Sequence, residues 1–192
     1  MNKKLAIGIL SLISAFTLAA CAGDNDEATP KKEPAQKETM EMDHSNMQHS
    51  SSSEVPEGLK IAEHPKYEVG SKAIIKDGHM AGMKGAEATI VGAYDTNAYA
   101  ISYTSTTTGE KVTNHKWVIQ EEIEDARVEP LKPGTEVTVN AEHMEGMEGA
   151  KAVIDSVEKT TVYMIDFKLT TNGEKVTNHK WVTESELAPV KK

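Results

Sequence analysis

The sequence carries one group of soft-ligand residues twice. His79, Met80 and Met83 stand in HMAGMKGA, and His143, Met144 and Met147 stand in HMEGMEGA, 64 residues later. A thioether is a soft, neutral ligand suited to Cu(I), and imidazole accepts both Cu(I) and Cu(II). Three such groups within five residues can cover one soft cation. Calcium or magnesium would call for carboxylates instead, and structural zinc for thiolates. The same residue types crowd TMEMDHSNMQHSSSS, where Met40, Met42, His44, Met47 and His49 fall within ten residues. Seven of the eight Met beyond residue 21 lie in these three clusters; the eighth, Met164, sits in a strand pattern and is expected to pack. Met is also a common filler of small cores, and a loop Met can plug one. The return of both Met residues in the second copy is what favours ligands over packing.

A second repeated cluster adds two histidines. TTTGEKVTNHKWV, residues 106–118, matches TTNGEKVTNHKWV, residues 170–182, at 12 of 13 positions. His115 and His179 each stand two residues before a Trp. Either they are further ligands brought to the loop by a strand, or they are hydrogen-bonded strand residues beside a core Trp. Asn114 and Asn178 are expected to hold a turn through side-chain hydrogen bonds.

The elements that must position these residues form an internal duplication. Residues 70–123 align with 134–187 without a gap, and 25 of 54 positions are identical. Ala86, Ala88 and Ile90 alternate with other residues, as do Tyr99, Ile101 and Tyr103; the copy repeats this with Ala150, Ala152 and Ile154, then Tyr163, Ile165, Phe167 and Leu169. Period-two patterning of this kind reads as strands. GSKAIIK and GTEVTVN supply a first strand, HKWV a last one, with glycine turns between. Four or five short strands in about 55 residues predict a mainly β chain of two tandem small SH3-like (KOW-like) barrels, residues 61–126 and 127–192, packed on each other because each alone would be marginal.

The N-terminal third reads differently. MNKK followed by LAIGILSLISAFTLAA is a positive n-region and an apolar h-region, residues 1–20, too short for a spanning helix. LAAC then ends at Cys21, the chain's single cysteine, in the pattern of a bacterial lipobox. With a lipid on Cys21 the chain would be anchored at the outer face of the membrane and would keep no thiol for metal chemistry. Residues 21–60 are rich in Lys, Glu, Asp, Pro, Ser and Thr and poor in branched aliphatics, the composition of a disordered tether. Beyond the signal, 19 Lys+Arg stand against 30 Asp+Glu, a net charge of −11 that argues against nucleic acid as a partner. No nucleophilic Cys, Ser-His-Asp order or phosphate loop stands out, so an enzyme is not expected.

Together the lipobox, the Met/His-containing tether and the tandem HMxGMxGAxAxI and TTxGEKVTNHKWV motifs resemble the YdhK family of Gram-positive surface lipoproteins, to which the copper-binding lipoprotein CopL belongs. The resemblance covers residues 60–188 and the anchor. It implies extracellular Cu(I) binding that contributes to copper resistance alongside copper efflux machinery in a Gram-positive bacterium. It carries no ligand list; His79, Met80, Met83, His143, Met144 and Met147 are this chain's matches to the repeated motif. A different class of function is a cell-wall or peptide-binding surface module whose Tyr and Trp residues line a groove.

Overall fold

A computed structural model describes residues 51–126 and 128–191. The chain is mainly β. Its strands are β1 (Lys60–Ile61), β2 (Lys72–Ile75), β3 (Glu87–Thr104), β4 (Lys111–Ile119), β5 (Glu136–Thr138), β6 (Lys151–Lys168), β7 (Lys175–Thr183) and β8 (Leu187–Pro189), with 3-10 turns at Gln120–Glu122 and Glu184–Glu186. Each repeat thus contributes one strand of 18 residues, β3 or β6, where the alternation predicts two short ones. The reason lies in the phase of the pattern. In β3 the apolar residues fall on even positions at Ala88 and Ile90, then on odd positions at Tyr99, Ile101 and Tyr103, while Ala98 and Ala100 are also buried. One continuous strand changes the core it serves part-way along, and a register shift between Ile90 and Gly92 marks the first adjustment.

β3 and β6 pair antiparallel over almost their whole length, from Ala88↔Phe167 to Tyr103↔Ala152. At the middle, Thr96 faces Thr160, its own counterpart in the second repeat. A residue can face its own copy only on a local twofold axis, so the two repeats are related by an approximate dyad through this pair. The two repeats do not fold as separate units. Eight strands join one sheet with the open path β5-β6-β3-β2-β8, on which β1, β4 and β7 pair with the long strands.

The dyad mixes the repeats in every core. Ile75, Met83, Ala88 and Ile90 of the first repeat pack with Tyr163, Ile165, Phe167 and Val182 of the second. Reciprocally, Tyr99, Ile101, Tyr103 and Val118 pack with Val139, Met147, Ala152 and Ile154. A third cluster on the dyad holds Ala98, Ala100, Trp117, Ile119, Val162, Met164 and Trp181, so Met164 packs as its strand pattern suggested.

The HMxGM loops dock on the other repeat by backbone. The Thr170 N–H donates to the Gly82 carbonyl at 2.9 Å, and the Thr106 N–H to the Gly146 carbonyl at 3.0 Å. Gly146 has φ 77°, and a Cβ there would collide with the Ser105 hydroxyl; Gly149 has φ 70° and open space around the same position. Gly149→Ala should therefore cost only the left-handed backbone penalty, about 1–2 kcal/mol. Gly146→Ala should cost more, because the loop must also move off its partner hairpin. The difference in urea midpoint between the two variants measures that docking.

Buried carboxylates tie the halves together. The Trp117 indole N–H donates to Glu186 Oε2 at 2.8 Å, and the Trp181 indole N–H reaches both oxygens of Glu122 at 3.0 and 3.1 Å. Each Glu also accepts the backbone N–H that opens its own 3-10 turn, Ile119 to Glu122 at 3.1 Å and Thr183 to Glu186 at 2.9 Å. Burial pushes the Glu186 carboxyl up, but His79, the Thr183 N–H and the Trp117 indole outweigh it and hold the group below its ordinary value. A carboxyl depressed in the folded state stabilises above its unfolded pKa and loses that contribution as pH falls through the folded one. Stability should therefore decline on acidification from the ordinary Glu pKa of 4.5 downward. Glu186→Gln, less stable at neutral pH, should show a smaller decline over that window in urea titrations.

Candidate metal centre

The dyad brings together histidines that the sequence separates by 100 residues. His79 leaves the loop after β2, and His179 lies in β7, opposite Ile165 of β6. Their Nε2 atoms are 3.1 Å apart, with rings stacked at 5.3 Å and 24°. The mirror pair is His115 of β4 and His143 of the loop before β6, stacked at 5.9 Å and 22°. Phe167 stands edge-on to His179 at 5.7 Å and Tyr103 edge-on to His115 at 5.9 Å, fixing both strand rings. The alternative left open for His115 and His179 thus has a mixed outcome: they are strand residues near the core Trp, and they also reach the loop histidines of the opposite repeat.

The buried carboxylates face the loop histidines from behind. His143 Nδ1 is 3.3 Å from Glu122 Oε1, and His79 Nδ1 is 3.7 Å from Glu186 Oε1. The longer contact is electrostatic and too long for a hydrogen bond. A carboxylate behind Nδ1 favours the tautomer with its proton there, leaving the Nε2 lone pair forward, the usual backing of a metal-ligating imidazole. His143 is 4% exposed and its buried Nε2 has no hydrogen-bond partner. Burying such an acceptor unpaired is costly unless something else binds it.

Between the pairs is a cavity of about 30 Å³, lined by His79, Met80, Asn114, His115, Lys116, Met144, His179 and Lys180. That volume admits one or two waters, or an ion. Metal–imidazole bonds of about 2.0–2.1 Å put two nitrogens on a tetrahedral edge near 3.3 Å. The observed 3.1 Å between His79 and His179 is within a small adjustment of it. Among the described residues no three His, Cys, Asp or Glu side chains converge as a metal centre; the soft donors that line this cavity beside the histidines are the thioethers of Met80 and Met144. Burial pulls the Lys180 ammonium down from its ordinary value, against the opposing pull of Glu122, Glu54 and Glu142.

The expected ligand trios are split. His79, Met80 and Met144 reach the cavity with His115 and His179, and His143 stacks on His115 behind it. Met83 and Met147 do not: both are 0% exposed and packed in the two outer cores, so their repetition reflects packing. Asn114 and Asn178 hold left-handed backbone, φ 52° and 51°, where β4 and β7 shift register. Met40, Met42, His44, Met47, His49 and Cys21 lie outside the described residues. Sequence reading passed over Glu122, Glu186, Lys116 and Lys180. The glutamates left one trace: they are identical between the copies amid otherwise different turn residues, QEEI against ESEL.

Both repeats match the family model described as "Protein of unknown function (DUF1541)", over residues 69–120 and 133–184. The chain belongs to the DUF1541 family. A relative in Bacillus subtilis strain 168, described as "Uncharacterized protein YdhK", is 55% identical over 191 residues, covering 98% of this chain and 92% of the relative. The crystal structure of a DUF1541 family protein, YdhK of B. subtilis, is 61% identical with a TM-score of 0.73, over 77% of this chain and all of that one. The solution structure of the YdhK C-terminal domain is 63% identical with a TM-score of 0.60, over 64% of this chain and 92% of that one. The chain thus carries two DUF1541 repeats, and the cavity between them is lined by residues of both copies.

Proposed function

We propose that this DUF1541 protein binds Cu(I) at the outer face of the cell membrane, held there by a lipid on Cys21, and so contributes to copper resistance. The observation that carries the reading is the His79–His179 pair: two imidazole nitrogens at near-tetrahedral spacing, with Glu186 behind His79 and thioether residues at the same cavity. Imidazole plus thioether is a donor set for soft monovalent metal, and it survives outside the cell better than thiolate does. Cu(I) is cargo in this reading. His79, His179 and Met80 hold it on one side of the dyad, and His115 and Met144 face it from the other, with His143 stacked on His115. Neutral ligands release a metal more readily than thiolates, which suits transfer to efflux machinery. The n-region, h-region and lipobox support the location.

The wall-binding alternative loses the surface it needs. Tyr99, Tyr163 and Trp181 are 0% exposed, so the repeated aromatics build cores and offer no groove.

Competition of the protein against a Cu(I) chelator tests the reading. Binding of at least one equivalent is expected, with Met80→Leu plus Met144→Leu weakening it about tenfold, near 1.4 kcal/mol, at unchanged fold. Met83→Leu and Met147→Leu should change stability but not affinity. A wild-type chain that takes no Cu(I) from the chelator contradicts the proposal.

A further inference from the structure

The two sides of the dyad are approached differently. On the His143 side a groove of about 340 Å³ lies outside the cavity, and Glu54, Glu57, Glu121, Glu122 and Glu142 line it together with His143. By the repeat offset of 64, the counterparts of Glu121 and Glu142 on the His79 side are Ser185 and Gly78. Residues 51–57, which bring Glu54 and Glu57, have no counterpart there either, since the residues 64 positions on form the end of β4 and the start of a 3-10 turn. Negative charge is therefore gathered on one side of a cavity whose lining is nearly two-fold. Lys180 opposes it from the boundary: it lines both groove and cavity, and its ammonium donates to the Glu54 carbonyl.

The histidines differ in the same sense. His79 Nε2 already faces His179 Nε2 at 3.1 Å, whereas His143 is 4% exposed and its buried Nε2 has no hydrogen-bond partner. His143 lines the groove, and its ring stacks at 5.9 Å on His115, which lines the cavity. It is therefore the imidazole between the two spaces. Carboxylates gathered in a concave wall of low dielectric focus the field and concentrate cations at its mouth.

We infer that the acidic groove is the path by which a soft monovalent cation reaches the cavity, and that His143 is the first ligand it meets, passing it to His115 and the His79–His179 pair. Each transfer exchanges one imidazole nitrogen for another, with no change in the charge of the cation. The inference rests on the metal-binding reading above and adds a direction of entry to it. The exposed carboxylates of Glu54 and Glu142 are not ligands here; they act through the field, on the rate of uptake.

Stopped-flow mixing of the protein with silver nitrate tests this, with Ag(I) as an air-stable soft monovalent probe. Quenching of Trp117 and Trp181 gives the signal, because their indoles bind the carboxylates behind the loop histidines. Sodium nitrate sets the ionic strength. Glu54→Gln with Glu142→Gln should slow uptake about three- to fivefold at about 0.01 M salt, and the difference should vanish at about 1 M, where the Debye length is about 3 Å. Asp77→Asn with Glu184→Gln removes the same charge beside Glu186, on the His79 side, and should leave the rate unchanged. His143→Gln should slow uptake and release alike, about tenfold, and keep the equilibrium affinity within about twofold. Equal slowing by the two charge pairs, or slowing by neither, overturns this inference alone. Weaker binding without slower uptake in His143→Gln makes His143 a resting ligand and overturns the relay. Wild-type protein that takes up no Ag(I) overturns both this inference and the metal-binding reading.

Discussion

The pairing of Thr96 with its own copy, Thr160, is the constraint from which the rest of the architecture follows. Two 18-residue strands crossing on a dyad cannot each close a private core. Every hydrophobic cluster takes residues from both repeats, and the HMxGM loop of each repeat docks on the other. A unit of about 55 residues buries too small a share of its surface to be stable alone. Exchanging halves about a dyad joins the cores at the two ends of the sheet through one continuous pair of strands, so that neither repeat has to be stable alone.

The polar interior follows from the same crossing. A tryptophan from one repeat donates to a glutamate from the other, and that glutamate backs a loop histidine whose free edge meets a strand histidine across the dyad. A buried carboxylate is costly unless it is hydrogen-bonded, and here an indole N–H and a backbone N–H both donate to Glu186 Oε2, while Oε1 faces His79 at 3.7 Å. The structural contacts and the proposed ligands therefore belong to one chain of contacts. Loss of either glutamate would disturb the fold and the histidine orientation together.

Much of this was legible in the residues. The duplication, the β character, the turn glycines and the candidate histidines all show in spacing and identity. The change of apolar parity within β3 was also visible, but alternation alone reads it as two strands, because a strand that serves two cores breaks the period. The partnership of His79 with His179 was not legible, since pattern within a repeat carries no information about a dyad between repeats. The split within HMxGM has the same origin. Met80 and Met83 are three residues apart in one motif, yet the loop turns one toward the cavity and buries the other.

The proposed site holds a metal ion between the repeats. Stoichiometry of Cu(I) binding in His79→Ala, His179→Ala and the double variant tests this directly, because the two residues belong to different repeats. A shared site predicts that each single change removes the same equivalent of metal and that the double variant loses no more. Separate losses that add up in the double variant would show a site within each repeat and contradict it.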